Sequence, residues 1–250
     1  MKYRFLFSAF IIVVCSSFLS YSSLLEENPN SKSITVIQLF TSQGCSSCPS
    51  ADRLLDKVKS EYEENGVYVL SYHVDYWNRL GWNDPFSKEK FTNLQRQYGS
   101  KFRSRSVYTP QAVINGKLDF VGSNEAKMYG NIKKNLKSNA VNNLELLNLN
   151  KNGGTISLQY KVSGNLNNKD LKLALVIDSK TTQVKRGENG GRTLKNSNIV
   201  VEQVALDLSE NNGKTTIKIP TIVSPDDSLR IIGFIQQDDL EITGAAQLKV

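Results

Sequence analysis

The 250-residue chain is poor in the side chains that most often build metal or acid–base sites. It has one histidine, three cysteines and six prolines. Only two of the cysteines, Cys45 and Cys48, lie beyond the first 22 residues. A tetrahedral zinc site, which takes four ligands, is therefore short of them. No apolar run is long enough to span a bilayer comfortably; the longest, Phe5 to Val14 with Ser8 inside it, falls well below the ~20 residues required. No linker, repeat or low-complexity tract follows residue 33. Charged residues make up 22% and hydrophobic ones 39%, a balance that excludes bulk disorder and leaves material for a core. The length suits one large or two small domains. The basic run "KFRSRS" (101–106) is too small to indicate a nucleic-acid partner.

The first residues stand apart. Lys2 and Arg4 precede the apolar run, and a small, serine-rich stretch follows from Ser16 to Ser23. That is the order of a secretory signal peptide, read here as residues 1–22, and it predicts a secreted or periplasmic protein. Removing it would take two positive charges from the net +7, leaving +5. Cys15 directly follows the apolar run, where a bacterial lipoprotein carries its lipidated cysteine. Val14 before it is not the small residue such a site prefers. Membrane attachment through Cys15 is thus the subordinate alternative, and otherwise Cys15 is one more apolar residue of the leader.

"ITVIQLF" (34–40) is short, apolar and β-branched, and predicts a buried strand. "GCSSCP" (44–49) follows. Pro49 suits the first turn of a helix, on which Ala51, Leu54, Leu55, Val58 and Tyr62 recur at helical spacing until Asn65-Gly66. "VYVLSYHV" (67–74) is apolar on both faces, as an interior parallel strand requires. Strand, helix and strand make a right-handed crossover. An aromatic loop, "DYWNRLGWNDPF" (75–86), leads to a helix predicted from Ser87 to Tyr98, with Phe91, Leu94 and Tyr98 on one face and Gly99 ending it. "QAVINGKLDFVG" (111–122) predicts a hairpin turning at Asn115-Gly116. Ser123 is an N-cap for a last helix that buries Tyr129, Ile132 and Leu136. The order β-α-β-α-β-β-α, with a C-x-x-C at the first strand-to-helix junction and Pro110 entering the hairpin, is the thioredoxin topology, expected over residues 33–138.

Residues 139–250 have a different texture. Short strands such as "TISLQYKV", "LKLALVID" and "LRIIGFIQQ" alternate with turn clusters such as "KNGG" and "SPDD". Regularly spaced short strands predict an antiparallel sandwich. The expected architecture is therefore an α/β thioredoxin-like N-terminal domain followed by an all-β antiparallel sandwich domain. The long polar loop "KRGENGGRTLKN" (185–196) is not a dinucleotide fingerprint, because it lies outside a βαβ unit. It is either an extended connection between strands or a loop that reaches the cysteines and shapes a substrate groove.

The stretches "LFTSQGCSSCPSAD", "SYHVDYWNRLGWNDPF" and "VYTPQAVINGK", with "RGENGGRTL" and the closing "GAAQL", resemble the secreted thioredoxin-like family known as domain of unknown function 1223. The resemblance covers nearly everything after about residue 34. It implies fold and export more than a reaction. The further resemblance to thioredoxins implies a cis peptide bond between Thr109 and Pro110. It also implies that this loop lies against the C-x-x-C, leaving backbone groups free for an extended substrate.

The two cysteines admit three readings. A helix N-terminus lowers a cysteine pKa, and the thiolate is the reactive species. On a redox reading Cys45, just before the helix, is the nucleophile, and Cys48, one turn inside, is the resolving thiol. The substrates would be proteins or small thiols, with a separate redox partner and no cofactor. A second reading has Cys45, Cys48 and His73 holding copper. A third has a fixed disulfide in a binding module. His73, with Asp75 after it, is a candidate proton relay, or else a hydrogen-bonded core residue anchoring the aromatic loop. Trp77 and Trp82, with Tyr76 and Phe86, form either a substrate platform or local core. Arg105, with Lys101 and Arg103, either supports the Cys45 thiolate or an acidic partner, or is simply solvated.

Overall fold

The computed structural model describes residues 32–62 and 65–250. The leader at 1–22 and Cys15 lie outside the described residues. No helix among the described residues is long and apolar enough to cross a membrane.

The first half contains the expected elements in the expected order: β1 (Thr35–Thr41), α1 (Cys48–Tyr62), β2 (Val67–His73), α2 (Glu89–Lys101), β3 (Gln111–Ile114), β4 (Leu118–Val121) and α3 (Glu125–Asn135). β1 lies parallel to β2 and antiparallel to β3, and is buried along its whole length. Three local details differ from the expectation. α2 runs through Gly99, which packs at its buried side near Val107, and ends two residues later. α3 is capped by Asn124, whose Oδ1 accepts the N–H of Lys127 at 3.0 Å, and not by Ser123. It buries Met128 with Ile132, while Tyr129 turns outward to donate its hydroxyl to Glu61.

The second half is all strand: β5 (Asn143–Asn152), β6 (Thr155–Ser163), β7 (Lys169–Gln183), β8 (Thr193–Asp207), β9 (Asn212–Lys218), β10 (Leu229–Gln237) and β11 (Ile242–Lys249). It does not form the separate sandwich predicted. β11, β10, β7 and β8 continue the sheet of the first half, giving one eight-stranded mixed sheet in the order β11-β10-β7-β8-β2-β1-β3-β4. This corrects the expected thioredoxin-like domain followed by an independent sandwich. The joint is narrow: a parallel bridge between Ser71 and Ile199, with the Asn198 amide donating to Val69 O at 2.9 Å. Local strand patterns do not encode which edges meet, so the fusion was invisible to periodicity.

β5, β6 and β9 form a small sheet that packs on β7, β8 and β10 through Leu144, Leu146, Ile156, Leu158, Leu173, Leu175 and Ile199. α1 and α3 cover the β1–β4 end through Leu55, Val58, Met128 and Ile132. The opposite face is filled by Phe40, Tyr72, Phe91 and Tyr98 under α2, continuing to Val200 and Phe234. β7 and β8 are 15 residues each and pair as far as Gln183 with Thr193, so their hairpin carries its tip beyond the sheet.

Candidate functional site

Cys45 and Cys48 form a disulfide with their Cα atoms 5.4 Å apart. Cys48 opens α1, so both cysteines sit one position or more nearer the N-terminal end than predicted. The turn before the helix is closed by Cys45 N–H to Ser42 O at 3.1 Å and Cys48 N–H to Cys45 O at 3.2 Å. Both cysteines are fully buried, although Ser46 and Ser47 between them are exposed. The Ser47 hydroxyl lies 3.3 Å from Cys45 Sγ and 3.5 Å from Thr109 O. The Thr109–Pro110 bond is cis, and the Thr109 hydroxyl accepts the Trp77 indole N–H at 2.8 Å. The structure thus brings Cys45, Cys48, Thr109, Pro110 and Trp77 to one place.

Beneath the pair lies a buried polar cluster. His73, at the end of β2, shares a 2.7 Å hydrogen bond between Nδ1 and Asp84 Oδ2, with both side chains wholly buried. Asp84 also accepts the N–H groups of Gln43 and Phe86, at 2.8 and 3.0 Å. Burial works against the Asp84 carboxylate, but the His73 charge and these hydrogen bonds outweigh it and hold its pKa below the usual range. Burial likewise opposes the charged imidazole, yet Asp84 and, beyond it, Asp52 hold His73 above its usual range. His73 Nε2 has no hydrogen-bond partner among the described residues.

Asp52 is the third member. It lies one turn after Cys48 on the same face of α1, the spacing at which helical side chains meet. Its Oδ2 accepts the Thr41 hydroxyl at 3.3 Å, and its Oδ1 has no partner within hydrogen-bond geometry among the described residues, with the Asn196 side chain nearby. Burial pushes its carboxyl up to about 7, against the pull of His73, Thr41 and Asn196 and with the push of Asp84. Gln43 ties the cluster to the far half of the chain. Its side-chain amide donates to Thr182 and Asn196 at 3.0 and 3.2 Å, and its Oε1 accepts the Trp82 indole N–H at 3.2 Å.

The loop at 185–196 does reach the cysteines. Asn189, fully buried, donates its amide to Gln43 O at 2.9 Å and Cys45 O at 2.8 Å. Glu188 Oε2 accepts the Ser46 N–H at 3.0 Å.

Other expected residues sit elsewhere. The Asp75 carboxylate takes the Thr92 hydroxyl at the start of α2, so the carboxylate on His73 is Asp84. Arg105 is exposed and makes no hydrogen bond or ion pair with the cysteine loop. Trp82 and Trp77 are half-buried, each spending its indole N–H inside the site. For the copper reading, Cys45, Cys48 and His73 would have to converge. Among the described residues no group of three or more His, Cys, Asp or Glu is placed to hold a metal. Sequence reasoning passed over Asp52, Asp84, Gln43 and Asn189. Two of them carried a readable signal: Asp52 by its four-residue spacing from Cys48, and Asn189 by its place in the loop 185–196.

Residues 36–236 match the family described as "Protein of unknown function (DUF1223)". The chain belongs to this family. No curated protein matches it. Among solved structures, this DUF1223 chain is similar to the crystal structure of protein AGR_C_4864 from Agrobacterium tumefaciens, with 26% identity and a TM-score of 0.63 over 87% of this chain and 95% of that one. A DUF3823 family protein from Bacteroides ovatus aligns at 14% identity and a TM-score of 0.31, over 44% of this chain and 54% of that one. A domain of the outer membrane lipoprotein Omp28 from Porphyromonas gingivalis aligns at 16% identity and a TM-score of 0.26, over 44% of this chain and 96% of that one.

Proposed function

We propose that this DUF1223 protein is a thiol–disulfide oxidoreductase whose reactive group is the Cys45–Cys48 pair. The observation that carries this reading is the disulfide at the head of α1 with the buried Asp52 carboxyl one turn along the same face. A carboxyl that burial has pushed up to about 7 exchanges protons near neutrality, as thiol exchange requires.

In the oxidising direction, a substrate thiolate attacks Sγ of Cys45. The Cys45–Cys48 bond breaks, Cys48 leaves as a thiolate, and protonated Asp52 gives it a proton. A second substrate thiolate then attacks the substrate sulfur of the mixed disulfide, and Cys45 leaves as a thiolate. The substrate pair loses two electrons and the protein pair gains them. Run backwards, the same steps reduce a substrate disulfide. Protein or small-thiol substrates fit this chemistry, with a separate redox partner restoring the pair. Thr109, beside Ser47, would meet the substrate backbone, and Trp77 holds the Thr109 hydroxyl. An oxidising, extracytoplasmic setting is consistent with the leader pattern of residues 1–22.

One observation favours a second reading. Both sulfurs are wholly buried, which suits a fixed disulfide in a binding module. A redox titration in glutathione buffers, with thiols counted by mass, separates the two. The oxidoreductase reading expects a reversible midpoint between about −270 and −120 mV, the span of known redox-active pairs. A disulfide that stays closed throughout would leave the binding module.

A further inference from the structure

Cys45 is wholly buried although Ser46 and Ser47, which follow it, are exposed, and the side chain that holds its carbonyl comes from 144 residues away. The hairpin joining β7 to β8 folds its tip over the Gln43–Ser46 segment. The tip is itself well fixed. Val184 N–H donates to Arg192 O at 2.9 Å, Gly191 N–H to Val184 O at 2.8 Å, and Gly190 N–H to Gly187 O at 3.0 Å. Gly187, at φ +74°, turns the chain where an added Cβ would come within 3.3 Å of Trp82 Cβ. Arg192 donates to Asn189 Oδ1 at 2.7 Å, which orients the Asn189 amide toward its two carbonyls.

Taking the redox reading of the pair as given, we propose that Glu188 and Asn189 are positioning residues for the nucleophile. Asn189 clamps the carbonyl of Cys45 and keeps its sulfur covered. Glu188 places a carboxylate on the Ser46 N–H, beside the helix start where the Cys45 thiolate must form. Free N–H groups at a helix start stabilise an anion. Here the Ser46 N–H, two residues before α1 begins, is already engaged by the Glu188 carboxylate, so a thiolate on Cys45 would have a negative neighbour. The hairpin tip therefore restrains Cys45 both by access and by charge, and displacing the tip releases both restraints.

Among the described residues no cation is hydrogen-bonded to the Gly44–Ser47 segment, and Glu188 is the charged side chain that touches it. From the turn before α1 comes the neutral Ser47 hydroxyl, from α1 Asp52, and from the 75–86 loop Asp84, already paired with His73. From the hairpin, Arg192 donates to the neutral Asn189 amide and keeps its positive charge. Glu188 has no ion pair among the described residues, and the hydrogen bond from Ser46 draws its pKa down, so it stays charged near neutrality.

The test is the pH profile of alkylation. The full chain is reduced with dithiothreitol, freed of it, and treated with iodoacetamide from about pH 4 to about pH 10, with Cys45 and Cys48 read separately by peptide mass. E188Q keeps an oxygen acceptor for Ser46 N–H and removes only the charge. It is expected to lower the Cys45 midpoint by about 0.2–0.7 pH unit, the size of one charge at a helix terminus, with the high-pH rate unchanged. N189A removes both amide donors and is expected to raise the high-pH rate at Cys45 several-fold. Thermal melting reports whether each variant folds. An E188Q midpoint that overlays the parent's overturns the role given to Glu188. An unchanged high-pH rate in a folded N189A overturns the clamp. Because the thiols are made chemically, a disulfide that never opens in glutathione buffers would remove the oxidoreductase reading and leave this profile interpretable.

Discussion

His73 and Asp84 meet at 2.7 Å with neither side chain open to solvent, an ion pair set 11 residues apart under the disulfide. Removing one partner of such a pair leaves a buried charge without compensation. His73→Ala is expected to cost about 3–5 kcal/mol on that ground. Asp84→Ala also strips the acceptor from Gln43 and Phe86. The double variant should then cost clearly less than the two singles together. Urea unfolding of all four proteins checks this, and strict additivity would sink the pairing.

Asp52 sets a pH dependence whose direction is the reverse of the usual carboxylate. Its pKa rises from 3.8 to about 7 on folding, so between those values the folded chain holds a proton that the unfolded chain has lost. Its contribution to stability is complete below about pH 4 and disappears as pH rises toward and through about 7. Asp52→Asn should flatten that part of the profile and be the more stable protein at pH 8, by an amount on the order of a few kcal/mol. Denaturation midpoints at several pH values decide it; parallel curves for the two proteins would speak against a buried, protonated Asp52.

The order of attack is open to trapping. Cys48→Ser should accumulate a mixed disulfide on Cys45 when mixed with a thiol-reactive disulfide probe, because the resolving sulfur is gone. Cys45→Ser should trap far less, because in the proposed order Cys45 is the sulfur that exchanges with substrate and Cys48 only resolves. Intact-mass measurement over time reads both. Equal trapping in the two variants would mean the assigned roles are wrong.

The Asn115-Gly116 turn offers a test of packing far from the cysteines. Gly116 has φ +65°, and an added Cβ would lie 1.9 Å from Leu240 O, so Gly116→Ala must move backbone. We expect it to cost more than about 2 kcal/mol. Gly153 has φ +54° with nothing within 4 Å, so Gly153→Ala should cost only about 1 kcal/mol, the conformational part alone. Thermal melts that rank the two the other way would contradict the described contact with Leu240.

The sequence showed the elements better than their assembly. β1, β2 and the Asn115-Gly116 hairpin were readable because their apolar spacing and turn chemistry are local. So were Cys45, Cys48, Thr109 and Pro110, which announce themselves by type. The joining of β2 to β8 was not, since it rests on one bridge at Ser71 and Ile199 and on the Asn198 side chain. Asp84 lay without a role of its own in the aromatic loop 75–86, and Asn189 in the long polar loop 185–196. Each matters through partners that the linear order keeps far away.

The long β7–β8 hairpin also gives the molecule a schedule. Residues 35–136, including the cysteine pair, leave the ribosome well before residue 193, where β8 starts. Until β8 arrives, β2 has an open edge with backbone groups awaiting a neighbour. During that interval neither Asn189 nor Glu188 is yet in place over the cysteines. The two cysteines are therefore most open to chance encounters while the chain is still being made, and they are covered only when the last third of the sequence closes over them.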